Sequence, residues 1–219
     1  MFAFNKETGK DFLDFLKRPT EAADCEQTVE RKAKRLFAIL AIHFPIMGIC
    51  LAINSCITSL VSINFENHRL TAILQQYPIW KVVCLVVVVA PFVEELVFRS
   101  YLRFKNNNLA QVISLIASLT GKNNKARTEI ALSNFWLNHF SGIFYFSAVL
   151  FGFIHLTNYE FNFTILLLSP MLILPQFIAG LFLGYLRIKY DLILAYIMHA
   201  IHNAILLTLT LYLSQAQIS

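Results

Sequence analysis

Charge is the scarcest commodity in this chain. Of its 219 residues only 14% are Asp, Glu, Lys or Arg, against 57% hydrophobic, and the mean hydropathy is +0.60. A soluble domain carries about 25% charged residues. The deficit excludes an ordinary soluble fold and marks an integral membrane protein, of one domain by its length. Cysteine is sparse and unclustered: Cys25, Cys50, Cys56 and Cys84 have no C-x-x-C spacing, so they read as small buried hydrophobes and not as metal ligands. The N-terminus, MFAFNKETGKDFLDFLKRP, lacks an apolar h-region, so no cleaved signal peptide is expected. No internal repeat is found, and an odd number of spans does not divide into the halves of an inverted-repeat transporter.

What is present is a series of apolar runs. A membrane crossing takes about 20 helical residues, and five segments qualify: roughly 36–63, 80–104, 141–157 with an extension through NFWLNHF, 163–186 and 191–213. The expected fold is an all-α, polytopic transmembrane bundle of about five spans with short interfacial helices. Residues 1–35 form a cytoplasmic or interfacial N-terminal segment, 36–77 the first span and outer loop, and 78–213 the membrane domain. Phe12, Phe15 and Leu16 share one face of a short interfacial helix that Pro19 ends, and Thr20 is placed to cap the next helix. Pro170 and Pro175 should kink the fourth span, and Gly180 and Gly184 offer a close-packing face. LAQVISLIASL, 109–119, is too short to span and reads as interfacial, re-entrant or packed under the bundle. Residues 120–128 read as a basic, polar loop.

Basic residues test this map. With the N-terminus inside, fifteen of the eighteen Lys and Arg fall on inner segments, only Arg69 and Lys81 lie outside, and Arg99 remains within the membrane. The formal charge of +5 therefore reads as topology, and no nucleic-acid partner is implied.

Three clusters of polar residues interrupt the spans: Glu94, Glu95 and Arg99 in EELVFR, His155 in FGFIH, and His199, His202 and Asn203 in HAIHN. A charge at bilayer depth costs roughly 2.5–3.5 kcal/mol on insertion scales, so three in six residues need a reason. From the inner span ends, a rise of about 1.5 Å per residue puts Glu94 ~15 Å deep, His155 ~21 Å, His199 ~12 Å and Asn203 ~18 Å. Three helices thus bring ionisable groups into one slab. Glu95 and Arg99 are spaced i, i+4 and can pair; Glu94, turned about 100° from Glu95, has no local partner and is the candidate general base. His199 and Asn203 also share a face, and His202 flanks His199 or meets a neighbouring helix. No H-E-x-x-H, G-x-S-x-G or G-x-G-D occurs, so the usual zinc-protease, serine and aspartyl motifs are absent. Asp191 reads as a helix N-cap at the membrane edge.

In their order, each within an apolar helix, these clusters resemble the CAAX prenyl protease and bacteriocin-processing family (CPBP, also called Abi), which includes the type II prenyl endopeptidase, although the long interval from Arg99 to Phe151 departs from it. Its motifs are E-E-x-x-x-R, here Glu94, Glu95 and Arg99; F-x-x-x-H, here Phe151 and His155; and H-x-x-x-N, here His199 and Asn203. The resemblance covers about residues 78–213. It implies a glutamate-dependent intramembrane endopeptidase acting on a membrane-associated or prenylated CAAX-type peptide or protein. Glu94 would activate water with His155 positioning it, His199 and Asn203 would hold the oxyanion, and Glu95 with Arg99 would shape the site. No cofactor is required in this picture; the alternative is a divalent metal such as zinc on Glu94, His155 and His199. The expected location is the plasma membrane of a bacterium, N-terminus cytoplasmic. Two other readings are a non-catalytic immunity or scaffold protein of the same fold and a proton-coupled transporter.

Overall fold

The computed structural model describes residues 2–24, 28–60, 69–119, 121–159 and 162–216. Among these residues the chain is helical, with no strand. The helices are α1 (Phe2–Lys17), α2 (Val29–Leu60), α3 (Arg69–Gln76), α4 (Ile79–Val83), α5 (Ala90–Arg99), α6 (Asn108–Ser118), α7 (Lys122–Ile154), α8 (Phe163–Leu172), α9 (Leu174–Lys189) and α10 (Leu192–Ala216). A π-helical stretch, Cys84–Val89, joins α4 to α5, so Ile79 to Arg99 forms one continuous helical run.

Among the described residues four stretches are long and apolar enough to cross a membrane by length and composition: Val29–Ile57, Asn123–Asn158, Phe163–Lys189 and Leu192–Leu213. The remaining expected span, 80–104, is helical to Leu102, in α, π and 3-10 turns, and carries Lys81, Glu94, Glu95, Arg99 and Arg103. The groups that make it interesting are the ones that lower its hydropathy. The expected loop at 120–128 is also corrected: from Lys122 onward it belongs to α7, and α6 packs along that helix as a hairpin. The α9 glycines lie against α7. A Cβ on Gly184 would meet Phe144 Cε2 at 2.7 Å, and one on Gly180 would meet Ala148 Cα and Arg99 Nη2 at 3.2 Å. The fourth span breaks at Ile173, between Pro170 and Pro175, as two prolines without backbone donors require.

One end of the bundle is stitched by polar contacts. Arg187 of α9 donates to Arg99 O and Ser100 O at 3.0 Å each, at the C-terminus of α5. Arg103, just after α5, donates to Ile188 O and Tyr190 O at 2.8 and 2.6 Å, at the C-terminus of α9. Each helix end thus has its orphan carbonyls capped by the other's arginine. Asp191 caps α10 through Leu194 N–H at 2.8 Å, as expected. Glu21 accepts from Phe104 N–H at 2.8 Å, and Asp24 N–H donates to Lys189 O at 2.8 Å. The N-terminal segment, residues 103–104 and residues 187–191 therefore meet at one end, the segments in which the basic residues are concentrated.

The aromatic face of α1 does not rest on lipid. Phe12 stacks on Phe182 (centroids 4.2 Å, 10°), Phe15 meets Phe144 edge-on at 5.1 Å, and both are buried. The buried Arg35 of α2 holds α1 through Thr8 Oγ1 (2.7 Å), Glu7 (3.1 Å) and Asp11 (2.9 Å). Thr28, not Thr20, caps α2, accepting from Arg31 N–H at 3.3 Å; α2 begins at Val29, too far on for Thr20 to reach. Of the cysteines, Cys50 is buried, but Cys56 and Cys84 are exposed on the outside of the bundle, and Cys25 lies outside the described residues. Where the surrounding solvent is hydrocarbon, a small apolar side chain gains little by turning inward.

Candidate active site

The site is built on α5, the end of α7 and α10. Glu95 is buried, its side chain 1% exposed, and His199 Nδ1 lies 3.0 Å from Glu95 Oε1. A carboxylate only accepts, so His199 donates from Nδ1 and its Nε2 is left free. That nitrogen faces Glu94, with Nε2 3.6 Å from Oε2. Two adjacent carboxylates of one helix thus address the two nitrogens of one imidazole on another. They differ in access: the side chain of Glu94 is 27% exposed, and its Oε2 makes no hydrogen bond among the described residues. Glu95 orients the ring, and Glu94 Oε2 faces it without a hydrogen bond of its own among the described residues.

The expected Glu95–Arg99 pair is present but loose, with Arg99 Nε 3.9 Å from Glu95 Oε2. Arg99 is fully buried and none of its nitrogens has a hydrogen-bond partner among the described residues. Its guanidinium lies instead over the Phe151 ring, 4.0 Å from the centroid, where the negative face of the ring offsets a desolvated cation. Gly180 makes this possible, since a side chain there would press on Arg99 Nη2.

Phe151 is the hub that joins the clusters. Its ring lies 4.7 Å from the His155 ring and 5.7 Å from the His199 ring, both edge-on, and 5.5 Å from Phe98. His155 opens a 3-10 turn at the end of α7, and its Nδ1 lies 2.7 Å from Phe151 O. Nδ1–H therefore donates to that carbonyl, leaving Nε2 as an acceptor. The second motif works as a unit: the phenylalanine supports Arg99 and both histidines, and its carbonyl sets the tautomer of the histidine one turn on.

Asn203 is committed in part elsewhere. Its Nδ2 donates to Val86 O at 2.9 Å, a carbonyl of the π-helical stretch. A π-helix bonds i to i+5, and such stretches often occur at functional sites. Here the distortion aims a carbonyl at α10, and the second Asn203 N–H stays available. His202 does not flank His199 at the glutamates; its Nδ1 lies 3.0 Å from Nε2 of His43, on α2.

His43 was not among the residues singled out from the sequence, although an ionisable group inside the apolar run LFAILAIHFPIMG is by itself a signal. The π-helical acceptor Val86 has no such signal, because nothing in CLVVVV distinguishes its carbonyls. The alternative metal set, Glu94, His155 and His199, is not gathered as a metal-ion site in this structure: among the described residues no three of His, Cys, Asp and Glu converge in that way.

No curated protein and no solved structure matches the chain. A family model for the type II CAAX prenyl endopeptidase, Rce1-like, matches residues 76–205, a stretch that holds the two glutamates, Arg99, Phe151 and the three polar residues of α10. With more than half its length matched, this integral membrane protein belongs to the type II CAAX prenyl endopeptidase, Rce1-like, family of proteases.

Proposed function

We propose that the chain hydrolyses a peptide bond of a membrane-associated, CAAX-type protein or peptide by glutamate-activated water. The supporting observation is the Glu95–His199–Glu94 arrangement: a buried carboxylate orients the imidazole, and a more accessible one faces its free nitrogen. In this mechanism Glu94 takes a proton from water, and the oxygen attacks the scissile carbonyl carbon. His155 positions that water by accepting its other hydrogen at Nε2. The spare N–H of Asn203 donates to the developing oxyanion, together with His199 in its doubly protonated form, whose Nδ1–H stays on Glu95 while its Nε2–H donates; each such donor is commonly worth about 2.7–4 kcal/mol. Collapse breaks the C–N bond, and the proton held by Glu94 passes to the leaving amine. Glu95 and Arg99 act by holding the geometry. No metal is needed for these steps, and the substrate approaches from the inner face, where the basic segments gather.

The test is cleavage of a farnesylated CAAX-terminated peptide by detergent-purified protein and its Glu94→Gln variant. The substitution keeps the shape and removes the base, so activity should fall by at least ~10²–10⁴-fold while the melting curve persists. Undiminished cleavage by Glu94→Gln would eliminate this mechanism. Activity that is lost on chelation and returns with zinc would replace the metal-free chemistry.

A further inference from the structure

We infer that α2, which precedes the family-matched residues, sets the axial position of α10, and that His43 is a positioning residue for His199. Two polar contacts join these helices. Lys32 Nζ lies 2.5 Å from Asp191 Oδ2 at the inner end, and His43 Nε2 lies 3.0 Å from His202 Nδ1 within the membrane. Both pairs are separated by the same 159 positions in the chain. On each helix the two contacts are eleven residues apart, about three turns and ~16 Å, so they fall on one face. Equal offsets mean that the helices run parallel in a single register.

The residues between the contacts keep that register. On α2 the same face carries Leu36 and Ile39, and the matching positions of α10, 159 further on, are Ala195 and Met198. All four are buried in the main core. Their spacing is that of a parallel two-helix seam, closed at each end by a polar contact. His199 follows Met198 directly. A slip or rotation of α10 would carry its ring away from both glutamates.

The chemistry of the dyad adds specificity. His43 is fully buried, and its Nδ1 has no hydrogen-bond partner among the described residues. A bare ring nitrogen costs less there than an unpaired N–H, so His43 carries its proton on Nε2 and donates to His202 Nδ1. The rings are held in place: His43 is edge-on to Phe182 at 5.2 Å, and His202 stacks on Phe44 at 6.2 Å. In hydrocarbon the alternative to this bond is two unsatisfied polar groups, which penalises every other register.

The test has a structural arm and an activity arm; only the second rests on the protease reading. With Cys25, Cys50, Cys56 and Cys84 replaced by Ala, the pair Ile39→Cys and Met198→Cys should form a disulfide on oxidation in preference to Ile39→Cys with Leu194→Cys, one turn lower. The opposite preference overturns the register. His43→Leu should lower the kcat for a farnesylated CAAX peptide by about 10²-fold, as a shift of ~1 Å at a catalytic group does, with little change in KM. His43→Gln, whose amide reaches the same point with an N–H, should restore most of the rate. Wild-type kcat in His43→Leu, or equal loss in both variants, overturns the positioning role. If the wild-type protein leaves the peptide intact, the protease reading fails on that substrate, and the role is decided by cross-linking. A short bis-methanethiosulfonate should bridge Glu94→Cys to His199→Cys when His43 is present. Persistence of that bridge in His43→Leu overturns the inference.

Discussion

Replacing Arg99 by Met isolates what holds the first motif together. Met retains an unbranched side chain of similar reach and removes only the charged head, so the cavity left is small. The pair it breaks is buried at both ends, with 3.9 Å between Arg99 Nε and Glu95 Oε2. At an effective dielectric near 20, two unit charges at that distance attract by about 4 kcal/mol, and breaking one side of a buried pair costs about 3–5 kcal/mol. Glu95 keeps His199 Nδ1 at 3.0 Å, so its carboxylate is not wholly stranded. Arg99 itself forfeits no hydrogen bond among the described residues, since its nitrogens make none. The loss should therefore lie at the lower end, about 3 kcal/mol. At roughly 2–4 °C per kcal/mol for a chain of this length, that is a fall of about 6–12 °C in the melting temperature in detergent. Adding Glu95→Gln removes the stranded charge, and the double variant should recover part of the loss. A double-mutant cycle then gives the coupling directly. If Arg99→Met melts with the wild-type protein, or the coupling is near zero, Arg99 is not balancing Glu95, and the role given to the Phe151 face must carry the whole explanation.

Gly184→Ala places a methyl 2.7 Å from Phe144 Cε2, an overpacking of about 1–3 kcal/mol; a lowered melting temperature should be largely rescued by Phe144→Leu, and a neutral Gly184→Ala would refute the close-packed seam. Burial pushes the Glu21 carboxyl above the usual range, so the folded state holds that proton more tightly and stability is lost as pH rises from ~4.3 through the folded pKa. Glu21→Gln, which keeps an acceptor for Phe104 N–H, should flatten this part of the pH–melting profile; an unchanged slope would refute the assignment. Cysteine introduced at Lys125 should label from the same side of the membrane as one at Lys10 and from the opposite side to one at position 69, since Lys and Arg cluster around the first two; labelling of the first from the side of position 69 would contradict the inner placement of the α6–α7 hairpin.

The low charge and the apolar runs determined the class of this protein, because a helix that must satisfy its backbone in hydrocarbon has few alternatives. The i, i+4 spacings within α5 and α10 likewise determined which residues share a helix face, since a single helix sets those angles whatever surrounds it. That is why Glu94, Glu95, Arg99, His199 and Asn203 stood out in sequence, and why Gly180, Gly184 and the proline break near Ile173 were legible. Contacts between helices obey no such local rule. Only the tertiary structure decided that Glu95 turns to His199 as well as to Arg99, that Phe151 carries the arginine, and that Asn203 reaches a carbonyl in a π-helical stretch with no sequence mark. Chain positions 159 apart become neighbours through helix packing, and so His43 acquired a partner that no reading of its own segment supplies. Residues 122–128 show the converse: their polarity suggested a loop, yet α7 runs through them, because a helix extended past the bundle can leave one face in contact with α6 and the rest exposed.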